Sequence, residues 1–149
     1  MDDGERHRFE VLHALANYQL VEELIKQYLS LHFEVVRLLL DKRLYFGFDA
    51  ADYDRSPLQG LVPLFGKVCN NKRLLEKLKT AIKHRDNLAH RALRNYWEDT
   101  SQYDFKELLA EIQPTKEQYM LISGVASEIR RLEAVKKEHE NAQVSEREA

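Results

Sequence analysis

Apolar residues in this chain recur at spacings of three and four over long stretches, and residues that break helices are nearly absent. Val21, Leu24, Ile25, Tyr28, Val35 and Leu39 form one such stripe, in a helix predicted from about Glu5 to Leu40 with a break expected near Asn17. Only 5 Gly and 3 Pro occur in 149 residues, too few to punctuate the short strands of a sandwich or barrel. Strong helix formers (Leu, Glu, Lys, Arg, Ala) dominate instead. The expected fold is all-α, an up-and-down bundle of four to five helices joined by short connections. No repeat and no Gly/Ser or Pro-rich linker divides the chain, so one domain is expected over residues 1–135. Residues 136–149 offer almost nothing to bury, and a charged tail that frays or is disordered is expected there.

The remaining helices carry their own end signals. Residues 44–55 lose the helical period and are expected to form a loop pinned by Phe46 and Phe48. Ser56 as cap, Pro57 at the first helical position and Gln59 completing a capping box predict a second helix carrying Leu61, Val62, Phe65 and Val68, ended by Asn70-Asn71. A third helix is predicted from Lys72 to about Tyr96. Phe105, Leu108, Leu109 and Ile112 mark a short fourth one, and Pro114 opens a fifth with Ile122, Val125, Ile129 and Leu132 as its seam.

Composition narrows the chemistry. With 44% hydrophobic and 32% charged residues, the chain can build a core and is not wholly disordered. Its one cysteine, Cys69, can form no internal disulfide and no thiolate cluster, and is expected to act as a small buried hydrophobe. There is no phosphate-binding Gly loop, no His-Glu-x-x-His and no Cys/His ligand spacing, so neither a metal nor a cofactor is expected. No apolar run approaches the ~20 residues of a membrane span, and the acidic start at Asp2-Asp3-Gly4-Glu5 is unlike a secretory signal. A soluble, cytoplasmic protein with no membrane partner is expected. His32, on an apolar helix, is expected to be a hydrogen-bonded core residue.

Charge is unevenly spread. Residues 72–97 hold eight Lys/Arg (Lys72, Arg73, Lys77, Lys79, Lys83, Arg85, Arg91, Arg94) against Glu76 and Asp86, a local +6 in a chain of net charge -2. Such a stripe suits a phosphate-binding surface, and it equally suits pairing with the acidic segments on either side. At ~100° per residue, Leu74, Leu78, Ala81, Ile82, Leu88 and Leu93 share one face of the third helix, and Arg85 falls in the middle of it. A guanidinium keeps its proton, so Arg85 must meet either an acid of another helix or an anionic ligand in a cleft. Asp86 and His90 are four apart on one edge, where the carboxylate can orient the imidazole. Asn87 either bonds a substrate phosphate or faces solvent. Tyr96 and Trp97 either stack on a base or close the core.

The string Ala81-Ile-Lys-His-Arg85-Asp86-Asn87-Leu88-Ala89-His90 resembles the signature of the HEPN (higher eukaryotes and prokaryotes nucleotide-binding) superfamily, an Arg and a His separated by four residues with a polar residue after the Arg. A second copy, Arg8 to His13, has Phe9 after the Arg and no basic helix around it. The Ser56–Phe65 helix and its short turn into Lys72-Arg-Leu-Leu-Glu-Lys-Leu are also similar to bacterial members, and the likeness spans roughly residues 18 to 135. It implies a homodimer whose motif helices face each other across a basic cleft, and a metal-independent endoribonuclease acting as toxin or effector in a toxin-antitoxin or anti-phage system. Arg85 and His90 would be catalytic, Asp86 and Asn87 supporting, and Lys83, Arg91 and Arg94 would bind the RNA substrate; an antitoxin or other defence-system protein is an expected partner. Cleavage of this kind leaves a 2',3'-cyclic phosphate and spares DNA. Ala92 stands where members paired with a nucleotidyltransferase carry a Tyr, so the resemblance does not extend to that route of regulation. Many members are catalytically silent, and the alternative expectation is a bundle that uses its basic face to bind a protein or RNA.

Overall fold

Helix α1 is the spine. It runs unbroken over Asp3–Leu39, about 55 Å at 1.5 Å per residue, and it begins in a capping box formed by Asp2 and Glu5. The computed structural model describes residues 2–97 and 103–148, except for the side chains of 92–97. Ala14, Val21, Ile25 and Leu29 on its inner face are fully buried. The expected break near Asn17 does not occur, because the Asn17 side chain turns inward and donates to Gln118 Oε1 at 2.7 Å. An interior Asn with a partner of its own has no reason to compete for its own backbone.

After a loop containing one 3-10 turn, Ala50–Asp52, come α2 (Leu58–Val68), α3 (Lys72–Trp97), α4 (Phe105–Ala110) and α5 (Thr115–Glu148). The architecture is all-α, and no strand occurs among the described residues. Phe46 and Phe48 pin the loop by packing on Phe33, as expected, and Tyr53 is buried beside them with its hydroxyl 2.6 Å from Ser30 Oγ. Asn71 does not end α2. It caps α3, its side chain accepting from the Leu74 N–H at 3.1 Å.

The capping box foreseen at Ser56 is absent. Helix α2 starts one residue later than the sequence suggests, with Pro57 as cap and no side-chain cap of its own. A carboxylate from another helix does the work: Glu22 of α1 accepts from the Leu58 N–H at 3.1 Å. A buried charge at a helix N-terminus is favoured by the helix dipole, which makes a local Ser cap redundant.

Helices α1 and α5 pack along most of their shared length. A closed polar network ties one end: Tyr18 donates to Gln113 Oε1 at 2.6 Å, Asn17 to Gln118 Oε1, and Gln118 to the Gln113 carbonyl at 2.7 Å. Every member has a partner, the condition under which a buried polar cluster does not cost stability. Val125 forms the centre of the α5 seam, with Ile122, Ile129 and Leu132 half-buried around it. At Gly124 α3 comes so close that an added Cβ would lie 2.7 Å from Leu74 Cδ1. Beyond this, residues 136–148 continue α5 as helix; Lys136 bonds Glu34 of α1 at 2.7 Å, and every described residue from Asn141 on is exposed. Among the described residues, no helix is long and apolar enough to cross a membrane.

Candidate functional site

Helix α3 presents its apolar face inward through Leu74, Leu78, Ala81 and Leu88, all buried. Arg85 lies on that same face, and the acid it meets is Glu22. The guanidinium Nη2 stands 3.6 Å from Glu22 Oε1, the oxygen that also holds the Leu58 N–H. The Glu22 side chain is 7% exposed and that of Arg85 31%, so the pair sits at the rim of the core with the carboxylate inside and the guanidinium reaching water. Nη1 of Arg85 bonds Asp86 Oδ1 at 3.2 Å. The guanidinium thus meets two carboxylates, one buried at the N-terminus of α2 and one exposed on its own helix.

The sequence reading missed Glu22. A signal for it existed: Glu22 interrupts the apolar face of α1 between Val21 and Ile25, just as Arg85 interrupts that of α3, and two opposite charges on two inward faces are expected to find each other.

The other site residues lie around this pair. His90 follows Arg85 by five residues, about 140° round the helix and about 7.5 Å along it, and it is exposed on the side away from the core. Asp86 is exposed and turned to Arg85; among the described residues nothing hydrogen-bonds His90, so in one chain the carboxylate does not orient the imidazole as expected. Asn87 and Lys83 are exposed. Arg91 is half-buried and paired with Glu111 at the end of α4. The side chains of Arg94, Tyr96 and Trp97 lie outside the described residues.

Pairing therefore accounts for only part of the basic stripe. Arg85 and Arg91 are neutralised by acids from other segments and Lys79 by Glu76 of its own helix, at 3.2 Å. Lys72, Arg73, Lys77 and Lys83 make no ion pair among the described residues; Lys77 is half-buried toward α5, while Lys72 and Lys83 are exposed on the side of α3 that carries His90.

Beside the motif a cavity of about 300 Å³ is lined by His7, His84, Asn87, Arg91 and Glu111. His7 of α1 is 2% exposed, packs on the Phe105 ring at 5.5 Å, and has an Nδ1 with no hydrogen-bond partner. Burial pushes its pKa below the usual histidine value and the Arg91 charge pushes the same way, so the ring is neutral at pH 7. His13 of the second Arg-to-His copy is hydrogen-bonded to Tyr119 at 3.3 Å and stacked on Phe9, far from any comparable basic strip. His32 stacks on Tyr28 as a core residue would, but its Nδ1 is unpartnered, which corrects the expectation of a hydrogen bond there. Cys69 is buried, and burial raises its thiol pKa. Among the described residues, no group of three or more His, Cys, Asp or Glu side chains is arranged to hold a metal ion.

Compared with family models, with curated proteins and with solved structures, the chain matches none.

Proposed function

We propose that this chain is an endoribonuclease of the HEPN kind that works without a metal, as a homodimer joined through α3. The observation that carries the reading is the setting of Arg85: its guanidinium is held by Glu22, which is itself fixed on the N-terminus of α2, and by Asp86 of its own helix, and it reaches water at the rim of the core. An Arg serving only to neutralise a core acid gains nothing from reaching water, whereas a phosphate clamp needs that access.

The chemistry follows from the two side chains. The RNA 2'-hydroxyl loses its proton to His90, the O2'–phosphorus bond forms, and the phosphorus–O5' bond breaks as the leaving oxygen takes a proton from water. Arg85 offsets the charge that builds on the phosphoryl oxygens. With Arg85 and His90 on different sides of one helix, two copies of α3 packed about a two-fold axis are the economical way to put both on one phosphate. An active enzyme of this kind is expected to be toxic when expressed, as an effector of a toxin-antitoxin or anti-phage system is, and to need a restraining partner.

The second reading, a silent bundle that binds RNA or an acidic protein through the basic face of α3, is favoured by one observation: Asp86 is paired with Arg85, so among the described residues of its own chain no carboxylate orients His90. Labelled total RNA and tRNA incubated in EDTA with the wild-type protein and with His90→Ala, both checked for folding and dimerisation, separate the two. Cyclic-phosphate products from the wild type alone are expected. Folded dimers that bind RNA with no cleavage by either would overturn the enzymatic reading in favour of the silent one.

A further inference from the structure

At the other end of α3, about 20 Å from Arg85 along the helix axis, lies a second cavity. It measures about 620 Å³ and opens between α1, the C-terminus of α2, the start of α3 and α5. Its wall is apolar, with Val68, Leu75, Leu132 and Val135, and its floor is polar. On the floor Tyr28 donates to the Val68 carbonyl at 3.1 Å, and Glu128, itself buried, is held by Asn71 Nδ2 at 3.0 Å. His32, stacked on Tyr28, lines the same space with a buried Nδ1 that bonds nothing. Lys67, Lys72 and Arg131 stand around the cavity. Arg131 is 3.9 Å from Glu128, while Lys67 and Lys72 have no ion-pair partner among the described residues.

We infer that this cavity binds a small organic phosphomonoester, one whose body carries hydroxyl or amino donors. Three cations against one carboxylate leave a local charge of +2, which a phosphate dianion balances, and the volume is that of an ordinary small-molecule site. One group lining the cavity asks for donors: the Glu128 carboxylate, with lone pairs beyond those used by Asn71. The apolar wall takes the face of a ring. Apart from Lys72, which also belongs to the basic stripe of α3, no residue of this site serves the Arg85–His90 reading, so the inference stands whether or not the chain cleaves RNA.

Isothermal titration of the whole protein with inorganic phosphate, ribose 5-phosphate, AMP and adenosine tests it. The expected result is one phosphomonoester bound per chain, at least about tenfold tighter than inorganic phosphate or adenosine. Lys72→Glu and Arg131→Glu should each weaken that binding by about tenfold or more, and Lys83→Glu, on the strip beside the motif, should leave it unchanged. Both substituted side chains are exposed, and Glu suits the first turn of α3, so folding, checked by circular dichroism, should hold. Absence of binding by every phosphate-bearing probe, or binding indifferent to Lys72→Glu and Arg131→Glu, would overturn the inference.

Discussion

Substitutions at Glu22 and Arg85 divide the structural share of this pair from its functional share. In Glu22→Gln the amide oxygen can still accept the Leu58 N–H, so what is lost is charge: its attraction to the α2 N-terminus, about 0.3–1 kcal/mol, and its pairing with a guanidinium that is partly in water, about 0.5–1 kcal/mol. The sum is about 1–2 kcal/mol. Glu22→Ala also strands the N–H of Leu58, a residue with 0% exposure, which adds about 1–3 kcal/mol. Arg85→Ala leaves Glu22 with its hydrogen bond and its helix dipole, and should cost no more than Glu22→Gln. The expected order of destabilisation in urea unfolding followed by circular dichroism is therefore Glu22→Ala, then Glu22→Gln and Arg85→Ala together. At about 2–4 °C per kcal/mol, Glu22→Gln should lower the melting temperature by a few degrees only. Arg85→Ala should stay folded and lose RNA binding and cleavage. If Arg85→Ala costs as much as Glu22→Ala, the guanidinium is a dry structural partner and the clamp argument fails.

Other outcomes follow from the same geometry. His7 and His32 both have pKa values lowered by burial, so the unfolded chain binds more protons; stability should be full above about pH 6.5 and fall as the pH drops toward 5. Urea midpoints at pH 7.5, 6 and 5 should show this slope, and His7→Phe should flatten it; a slope unchanged in that variant contradicts the assignment. Tyr18→Phe strips Gln113 Oε1 of its donor in a buried network and should cost about 1–2 kcal/mol of unfolding free energy, where no change would mean that water replaces the hydroxyl. Gly124→Val pushes into Leu74 and should cost about 1–3 kcal/mol by the same measurement, and a neutral result would show that Leu74 has room to move.

Much of the fold was legible because most of its signals are local. The three-and-four spacing of Val21, Ile25 and Tyr28, or of Ile122, Val125 and Ile129, fixes which side of a helix is buried before any partner is known. Asn17 and Ser56 misled for one shared reason. Each was judged by what it does to its own backbone, and each position was decided by a residue far away in sequence, Gln118 in one case and Glu22 in the other. At the candidate site, the sequence exposed Arg85 as a charge on an apolar face and offered two explanations for it; the acid of another helix is there, in Glu22, and the anionic ligand is the proposal made above. His7 was out of reach, because neither its burial nor its approach to Arg91 leaves a pattern at any fixed spacing.

The claim on which the account turns is that Arg85 of one copy and His90 of another serve one phosphate. Arg85→Ala and His90→Ala proteins, each inactive alone, should be mixed, allowed to exchange protomers and assayed for RNA cleavage in EDTA. A mixed dimer then holds one site with both groups lost and one with both intact, so about one quarter of wild-type activity should return. A mixture that forms mixed dimers and stays inactive would contradict the shared site.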